Sequence, residues 1–394
     1  MHATVERPFF VRVWLGAIAA TIVTFVAMLI VYHARATPYD NYVLLANAML
    51  HGHVWVEAPG PWIDALTYHG RQYIIEGPLP AILLVPAVAI WGQSTNQALL
   101  SYILTALAVG AGWGLAARLG VPWRSRLLLI LFLLLGTDLF FCGIFGDVWY
   151  VAHVSAVCFT LFALLELSGK KRAAIVISFA VCAAFSRFSL VLAIPVYVFL
   201  LMYDATPEQR RARITSVVSI GIIAAALWLR YNRQRWGLWY DIGYTAWYHQ
   251  DPVGQAVGSP FDLRYLPMQL YAFFVYPPVI YRVWPYLGVT QWATALPYTS
   301  PALILAFFAR RPAVVVLALW AAVVLVAAPN FVYYVVGFTQ FGMRHALDFE
   351  PFLFALMCLA SRNGVRWWGA LLCLYSALAG AWGFWFWITF VRRV

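Results

Sequence analysis

The stretch VWLGAIAATIVTFVAMLIVY, residues Val13 to Tyr32, decides the fold class of this chain. It carries no charge and is long enough to cross a bilayer as one α-helix. Arg7 and Arg12 precede it, and basic residues before a first span predict a cytoplasmic N-terminus. The pattern Ala34-Arg35-Ala36 leaves a cleaved signal peptide as the alternative, although the apolar run exceeds the usual signal core of roughly 7–15 residues.

The composition extends this interpretation to the whole chain. Of its 394 residues, 64% are hydrophobic and only 10% are charged, whereas soluble domains carry about 25% charged residues. Apolar runs recur along the entire length, which predicts an all-α polytopic membrane protein. The net charge of +11 does not indicate nucleic-acid binding, because the basic residues form short clusters between apolar runs. The five cysteines lie inside apolar runs without metal-ligand spacing, so they are expected to be small core residues.

The basic clusters predict the topology, because such clusters mark cytoplasmic loops. They are Arg118/Arg124/Arg126, Lys170/Lys171/Arg172, Arg210/Arg211/Arg213, Arg310/Arg311 and Arg362/Arg366. Keeping all of them on one side requires two hairpins, Leu127–Leu167 with its turn at 146–150 and Ala173–Tyr203 with its turn at 186–189. The short apolar run Ala81–Trp91 is then predicted to lie on the outer surface rather than to span.

The remaining apolar runs complete the predicted architecture of about eleven spans with an outer C-terminus. They are Ile214–Tyr231, Leu296–Phe308, Ala313–Val336, Ala346–Ala360 and Trp367–Phe390. We expect a single integrated membrane domain over residues 1–394. Its first outer loop covers residues 35–95, and a second long outer region covers residues 232–297.

The first outer loop opens with Thr37-Pro38-Tyr39-Asp40-Asn41-Tyr42. Asp40, Asn47 and His51 are spaced to share one stripe of a helix, which indicates an inward-facing polar site. A carboxylate there could accept the proton of an attacking hydroxyl. Alternatively, Asp40 caps the helix N-terminus. Glu57 and Asp64, farther along the loop, are interpreted as solvated.

Three further residues are candidates for the same site. Glu76 precedes Gly77-Pro78-Leu79-Pro80 and either marks the water boundary or lines a cavity with Asp40. Asp147, which together with Asp138 flanks the tip of the hairpin Leu127–Leu167, either caps a helix or carries function, since ionisable residues near spans are functional candidates. His153 follows six residues later, at the start of the returning helix.

The cationic candidates are Arg187, Arg344 and His345. Arg187 interrupts a long apolar stretch at its midpoint, and arginine binds phosphate through its planar fork. The alternative is that the arginines pair with Asp348, Glu350 or other carboxylates. The aromatic residues from Trp236 to Tyr248, which include Tyr244, indicate an interfacial belt or a surface that stacks on sugars.

Several chemistries lack their motifs in this sequence. It contains no glycine-rich phosphate loop, no nucleophile elbow and no array of metal ligands. This absence argues against a soluble nucleotide-sugar donor or ATP. No cofactor is expected, although Asp40 together with Asp147 could hold one divalent ion.

The motifs together resemble the GT-C superfamily of integral membrane glycosyltransferases, in particular the bacterial relatives of protein O-mannosyltransferases and aminoarabinose transferases. The likeness rests on short segments spread over most of the chain: Tyr39-Asp40-Asn41-Tyr42, Glu76-Gly77-Pro78-Leu79-Pro80, Trp91-Gly92, Ser186-Arg187-Phe188, Arg230-Tyr231-Asn232, Gly243-Tyr244 and Phe341-Gly342-Met343-Arg344-His345. The chain departs from that pattern where Asn41, rather than a second acid, follows Asp40. It also has Gly77-Pro78-Leu79-Pro80 where many relatives have a double proline.

The resemblance implies a function and roles for individual residues. Asp40 would be the general base on an acceptor hydroxyl, and Asp147 the second outer acid. Arg187 and Arg344 would hold the phosphate of a polyprenyl-phosphate sugar. The expected location is the bacterial inner membrane with the active site outside, and the acceptor would be a glycan, a lipid or a protein.

Two other classes remain open. A transporter or flippase of lipid-linked sugars would share the arginines and the aromatic residues, but transporters usually show repeated halves with helices broken at mid-membrane. A non-enzymatic assembly partner of envelope enzymes would not require acids and arginines gathered on one side. The sequence favours the glycosyltransferase, because its polar residues concentrate on the predicted outer side.

Overall fold

The computed structural model describes residues 6–57, 59–60, 63–290 and 292–392. Within these ranges the chain is mostly α-helical, as predicted, and its strands form two short antiparallel hairpins. The helices are α1 Glu6–Tyr32, α2 Asn41–Leu50, α3 Leu79–Trp91, α4 Gln97–Arg118, α5 Trp123–Leu135, α6 Leu139–Phe145, α7 Val148–Leu167, α8 Ala173–Ser186, α9 Ile194–Met202, α10 Pro207–Trp236, α11 Gly243–Gln250, α12 Leu266–Phe274, α13 Leu296–Thr299, α14 Ala313–Phe331, α15 Glu350–Ala360 and α16 Trp367–Phe386. The strands are β1 Leu66–Tyr68, β2 Arg71–Tyr73, β3 Val279–Ile280 and β4 Leu287–Gly288.

Long apolar helices give the chain the character of a multi-pass membrane protein. In the described ranges, six helices are long and apolar enough to cross a membrane, namely α1, α4, α7, α10, α14 and α16. The bent pair α5–α6 makes a seventh if it counts as one span. The predicted number of about eleven is therefore not reached by long helices, because several predicted spans form helices of 10–17 residues.

One predicted span is not a continuous helix. Residues 296–308 form the single α-helical turn α13, followed by the 3-10 helix Pro301–Phe308. Pro297 and Pro301 explain this break, since proline cannot donate the amide hydrogen bond that a continuous helix needs. The span predicted from Ala346 likewise begins only with α15.

Helices end at both positions where the sequence predicts hairpin turns. Between α6 and α7 the chain reverses at Gly146, whose φ of 66° lies in the left-handed region that glycine tolerates. A Cβ at this position would also lie 2.7 Å from the Cα of Ala98. The second break falls at Arg187, between α8 and the 3-10 helix Phe188–Ala193.

The predicted cytoplasmic loops meet at one end of the helical bundle, which we call the basic end. Arg118 Nη1 donates to the Leu165 carbonyl at 2.6 Å and so joins the ends of α4 and α7. Arg362 donates to the carbonyls of Leu119 at 3.0 Å and Arg311 at 3.4 Å. The basic clusters therefore belong to a common end, as the topology prediction required.

The opposite end, which we call the polar end, is where α1, α8, α10 and α14 finish and where α4 and α7 begin. Arg392, which follows α16, forms an ion pair with Asp147 at 2.9 Å, so the described C-terminal part also reaches this end. The two predicted outer regions contact each other here, because the Gln250 amide bonds both the N–H and the carbonyl of Thr67. A separate hydrophobic cluster beneath these loops contains Tyr42 and Trp236.

Candidate functional site

Asp348, which is fully buried, is the centre of the polar end. Its carboxylate accepts hydrogen bonds from His153 Nδ1 at 2.8 Å, Arg187 Nε and Nη2 at 3.2 Å, Ser189 Oγ at 2.9 Å and Asn330 Nδ2 at 3.3 Å. Burial alone would raise the pKa of Asp348, but the charge and hydrogen bonds of Arg187 and His153 hold it below its ordinary value. One ionised carboxylate thus ties together α7, the break after α8 and the end of α14.

Arg187 has two structural roles. It forms the break of the second hairpin and pairs with Asp348, which was the alternative to anion binding. Its side chain is still 16% exposed. Arg187 is also near enough to Glu76 and Tyr244 for its charge to act on both.

Arg344 differs from Arg187 because no carboxylate of the described residues forms an ion pair with it, although the buried carboxyl of Asp138 is near enough for its charge to act on Arg344. It is only 8% exposed, and its Nη1 donates to the Phe338 carbonyl at 2.6 Å. The guanidinium carbon lies 6.0 Å from the centroid of the Trp149 ring and 5.9 Å from that of Tyr150. Among the described residues no ion pair reaches it, and its Nε has no hydrogen-bond partner. A buried charge without a counterion is costly, so Arg344 is the best candidate for anion binding.

Glu76 lies in the same cluster. Its side chain is 7% exposed, and its Oε2 atom has no hydrogen-bond partner within the described structure. Burial raises the pKa of Glu76 to about 7, and the nearby charge of Asp64 adds to this effect, while Arg187 and Arg344 oppose it. A carboxyl group with a pKa near neutrality can accept and release a proton at physiological pH.

Gly77 explains how Glu76 is positioned. A Cβ at Gly77 would lie 2.8 Å from the Ser186 carbonyl oxygen and even closer to that of Phe185. Only glycine permits so close an approach of the two backbones. The loop before α3 therefore packs directly against the end of α8, next to Arg187.

Asp64 belongs to the cluster, although the sequence predicts that it is solvated like Glu57. Glu57 is indeed exposed and lies 3.7 Å from His53. Asp64 is half-buried, and burial raises its pKa, whereas a hydrogen bond with Trp149 and the charge of Arg344 act in the opposite direction. No sequence pattern marks this position, since only the folding of the outer loop brings it to the cluster.

Asp147 occupies the N-cap position of α7, one of its two predicted roles, but its side chain makes no capping hydrogen bond. It is buried and accepts hydrogen bonds from Thr37 and from Arg392 Nη2, the latter at 2.9 Å. Burial raises the pKa of Asp147, and the charge of Arg392 opposes that shift most strongly. Asp147 therefore fastens the C-terminal part of the chain to the polar end.

The two predicted histidines lie close together inside the cluster. The rings of His153 and His345 have centroids 5.4 Å apart. His153 bonds Asp348, and His345 Nδ1 lies 3.3 Å from Asn330 Oδ1. Each ring is therefore held by a polar side chain of the cluster. Asn330 is a further member of the cluster that the sequence did not predict.

The stripe of α2 lies apart from the arginines. Asp40 occupies the N-cap position of α2, but its side chain makes no capping hydrogen bond. Burial raises the pKa of Asp40, and no charged side chain contributes to that shift. His51 is exposed beyond the end of α2, where its Nδ1 lies 2.8 Å from the Asn47 carbonyl oxygen. The helix ends at Leu50, so His51 is the C-cap residue and not part of the helical stripe.

The aromatic residues divide into two groups. Tyr244 is half-buried within electrostatic range of Arg187 and Glu76, so it does join the cluster. Trp236 is buried and donates to Asp241 at 3.0 Å, which excludes it from an interfacial belt. Trp239 is 60% exposed, as a belt residue would be.

The cluster as a whole contains two arginines, several carboxyl groups and two histidines. In the described part of the chain, no group of three or more His, Cys, Asp or Glu side chains is arranged to hold a metal ion. Comparisons of the chain with protein-family models, curated proteins and solved structures found no match.

Proposed function

We propose that this chain is a membrane glycosyltransferase of the GT-C type. It transfers a sugar from a polyprenyl-phosphate donor to a hydroxyl acceptor on the outer side of the bacterial inner membrane. The observation that carries the proposal is the buried guanidinium of Arg344, which forms no ion pair within the described residues and whose charge acts on Glu76. A lipid phosphate arriving at the end of an apolar bundle would supply the missing negative charge.

The proposed reaction assigns the cluster two tasks. The acceptor oxygen forms a bond to the anomeric carbon of the sugar, while the bond from that carbon to the phosphate oxygen breaks. The hydroxyl proton passes to a carboxylate, and the polyprenyl phosphate leaves with the bonding electrons. Arg344, assisted by Arg187, stabilises the negative charge that grows on the leaving phosphate.

Two carboxylates compete for the role of base. The family resemblance implies Asp40, whereas the surroundings favour Glu76. Glu76 has an unbonded oxygen, a pKa raised to about 7 by burial, and both arginines within electrostatic range. Asp40 lacks any charged contributor. We therefore assign the proton transfer to Glu76, with Asp40 as the alternative.

The proposed topology puts the basic end in the cytoplasm. The loops that carry the basic clusters then obey the positive-inside rule. The short apolar helices α8, α9 and α15 would complete the crossings begun by the six or seven long ones, towards the predicted number of about eleven. Their lengths suit a bundle whose polar end is recessed below the membrane surface.

The test is transfer of a radiolabelled sugar from polyprenyl phosphate in vesicles that contain the purified protein, with native membranes as the acceptor. We expect protein-dependent transfer that Glu76→Gln abolishes and Asp40→Asn reduces less. The opposite order would assign the base to Asp40. Movement of the labelled lipid across the bilayer without transfer would contradict the enzyme and favour the transporter.

A further inference from the structure

A basic pocket lies on the outside of α10, at its polar end. Arg230, Arg233, Gln234 and Trp239 line a cavity of about 280 Å³. The helix ends at Gly237, whose φ of 70° turns the chain so that Trp239 folds back over the last turn. The guanidinium carbon of Arg233 lies 5.7 Å from the centroid of the Trp239 ring.

Within the described part of the chain, no acid forms an ion pair with the arginines of this pocket. Arg233 donates to the Gly237 carbonyl at the helix C-terminus, a neutral partner. Arg230 is exposed and has no hydrogen bond or ion pair within the described chain. The neighbouring acid, Asp241, pairs at 3.1 Å with Arg235, which is buried on the other side of the helix. Two positive charges therefore remain available to an anion.

The apolar surface beside the pocket is continuous with it. None of the 18-residue apolar stretch of α10 is buried inside the protein. Its large exposed side chains include Ile222, Ile223 and Leu227. In a membrane such a surface contacts acyl chains. The positive-inside rule explains basic residues at the other end of α10, but it does not explain Arg230 and Arg233 at this end.

We propose that Arg230, Arg233 and Trp239 bind the headgroup phosphate of an anionic phospholipid whose acyl chains lie along α10. Arginine holds phosphate through a planar fork, and tryptophan prefers the headgroup region of the bilayer. This site is distinct from the donor site, because Arg344 is buried in the central cluster while the pocket opens on the outside of α10. Bound lipid would fix the position of the most exposed long helix.

Native mass spectrometry of the full-length protein in detergent tests the proposal. The probes are phosphatidylglycerol, phosphatidylcholine and polyprenyl phosphate, each offered separately. We expect the double variant Arg230→Gln/Arg233→Gln to lose about 30-fold in affinity for the most tightly held phosphatidylglycerol. That loss corresponds to about 1 kcal/mol for each arginine near a membrane surface, at 1.4 kcal/mol per tenfold.

A charge-matched control is available at the same end of the molecule. Arg71 and Arg282 are both exposed. The guanidinium carbon of Arg71 also lies 3.8 Å from the centroid of a tryptophan ring, that of Trp55. Arg71→Gln/Arg282→Gln removes the same charge and should leave the tight phosphatidylglycerol in place. Trp239→Leu keeps both charges and should weaken phosphatidylglycerol binding by a smaller factor. This variant still tests the pocket if the double variant misfolds.

Three results would overturn the proposal. The first is an equal loss in the control pair, which would reduce the effect to net charge. The second is equal retention of phosphatidylcholine and phosphatidylglycerol. The third is that polyprenyl phosphate alone is held tightly and is lost in the Arg230→Gln/Arg233→Gln variant. This result would make the pocket part of the donor site.

Discussion

At the scale of single residues, Arg344 and Arg187 differ in whether a carboxylate pairs with them, and this difference changes their expected roles. Both are arginines that interrupt apolar sequence, and both lie in the same buried cluster. Arg187 pairs with Asp348 at 3.2 Å, whereas Arg344 contacts a carbonyl and two aromatic rings. The arginine that forms no ion pair within the described residues is the stronger candidate for binding a ligand, because its burial is compensated less than that of Arg187.

Replacing Asp348 should destabilise the fold. In Asp348→Asn the buried charge of Arg187 loses its partner, and removing one member of a buried pair costs roughly 3–5 kcal/mol. Thermal unfolding of the purified protein, monitored by intrinsic fluorescence, measures the change. The matched control is Asp204→Asn, because that acid pairs with Lys171 at 2.5 Å while 53% exposed. Exposed pairs contribute about 0–1 kcal/mol, so equal losses in the two variants would contradict the central role of Asp348.

Glu76 should make stability depend on pH in a defined direction. Burial raises its pKa from 4.5 to about 7, so the folded protein holds this proton more tightly than the unfolded chain does. The stabilising contribution is complete below about pH 4.5 and is lost as the pH rises through 7. The neutral variant Glu76→Gln lacks this contribution. We expect wild-type stability relative to that variant to fall between pH 5 and pH 8, measured by thermal unfolding, and a constant difference would contradict the assignment.

At the scale of the elements, local sequence signals predicted the turns more accurately than the contacts between elements. The breaks at Gly146 and Arg187 follow from a glycine and a charge inside apolar runs, and both are present. The break at Pro297 and Pro301 also has a local cause, although the apolar composition of residues 296–308 predicts a continuous span. The burial of Asp64 depends on how the outer loop folds, and no local pattern encodes that.

Gly77 offers a test of how the elements position the site. Gly77→Ala forces a Cβ against the carbonyls of Phe185 and Ser186, so the loop that carries Glu76 must move away from Arg187. We expect a loss of transfer activity and a lower unfolding temperature. The control is Gly221→Ala on α10, where a Cβ meets nothing within 4 Å. An alanine in an exposed helix should be neutral or stabilise by about 1 kcal/mol, and a neutral Gly77→Ala would show that this approach is unimportant.

At the scale of the whole molecule, the chain separates basic loops from the polar cluster. Single cysteines introduced at Gln209 and Ser259, both exposed and at opposite ends, report on this arrangement. The native cysteines provide a low background, because four are buried and Cys182 is half-buried. In intact cells, a membrane-impermeant maleimide should label Ser259→Cys at once and Gln209→Cys only after permeabilisation. Labelling of Gln209→Cys in intact cells would invert the proposed topology.

The most direct test of the proposed activity is sugar transfer by the Arg344→Gln variant in reconstituted vesicles. The control is Arg362→Gln, which removes an exposed arginine from the basic end. We expect transfer from the labelled polyprenyl-phosphate sugar to fall by about 100-fold or more in Arg344→Gln, as when a group that stabilises transition-state charge is removed. Arg344→Lys should recover part of that loss, and Arg362→Gln should match the wild type. Wild-type transfer by a correctly folded Arg344→Gln variant would contradict the proposed phosphate site.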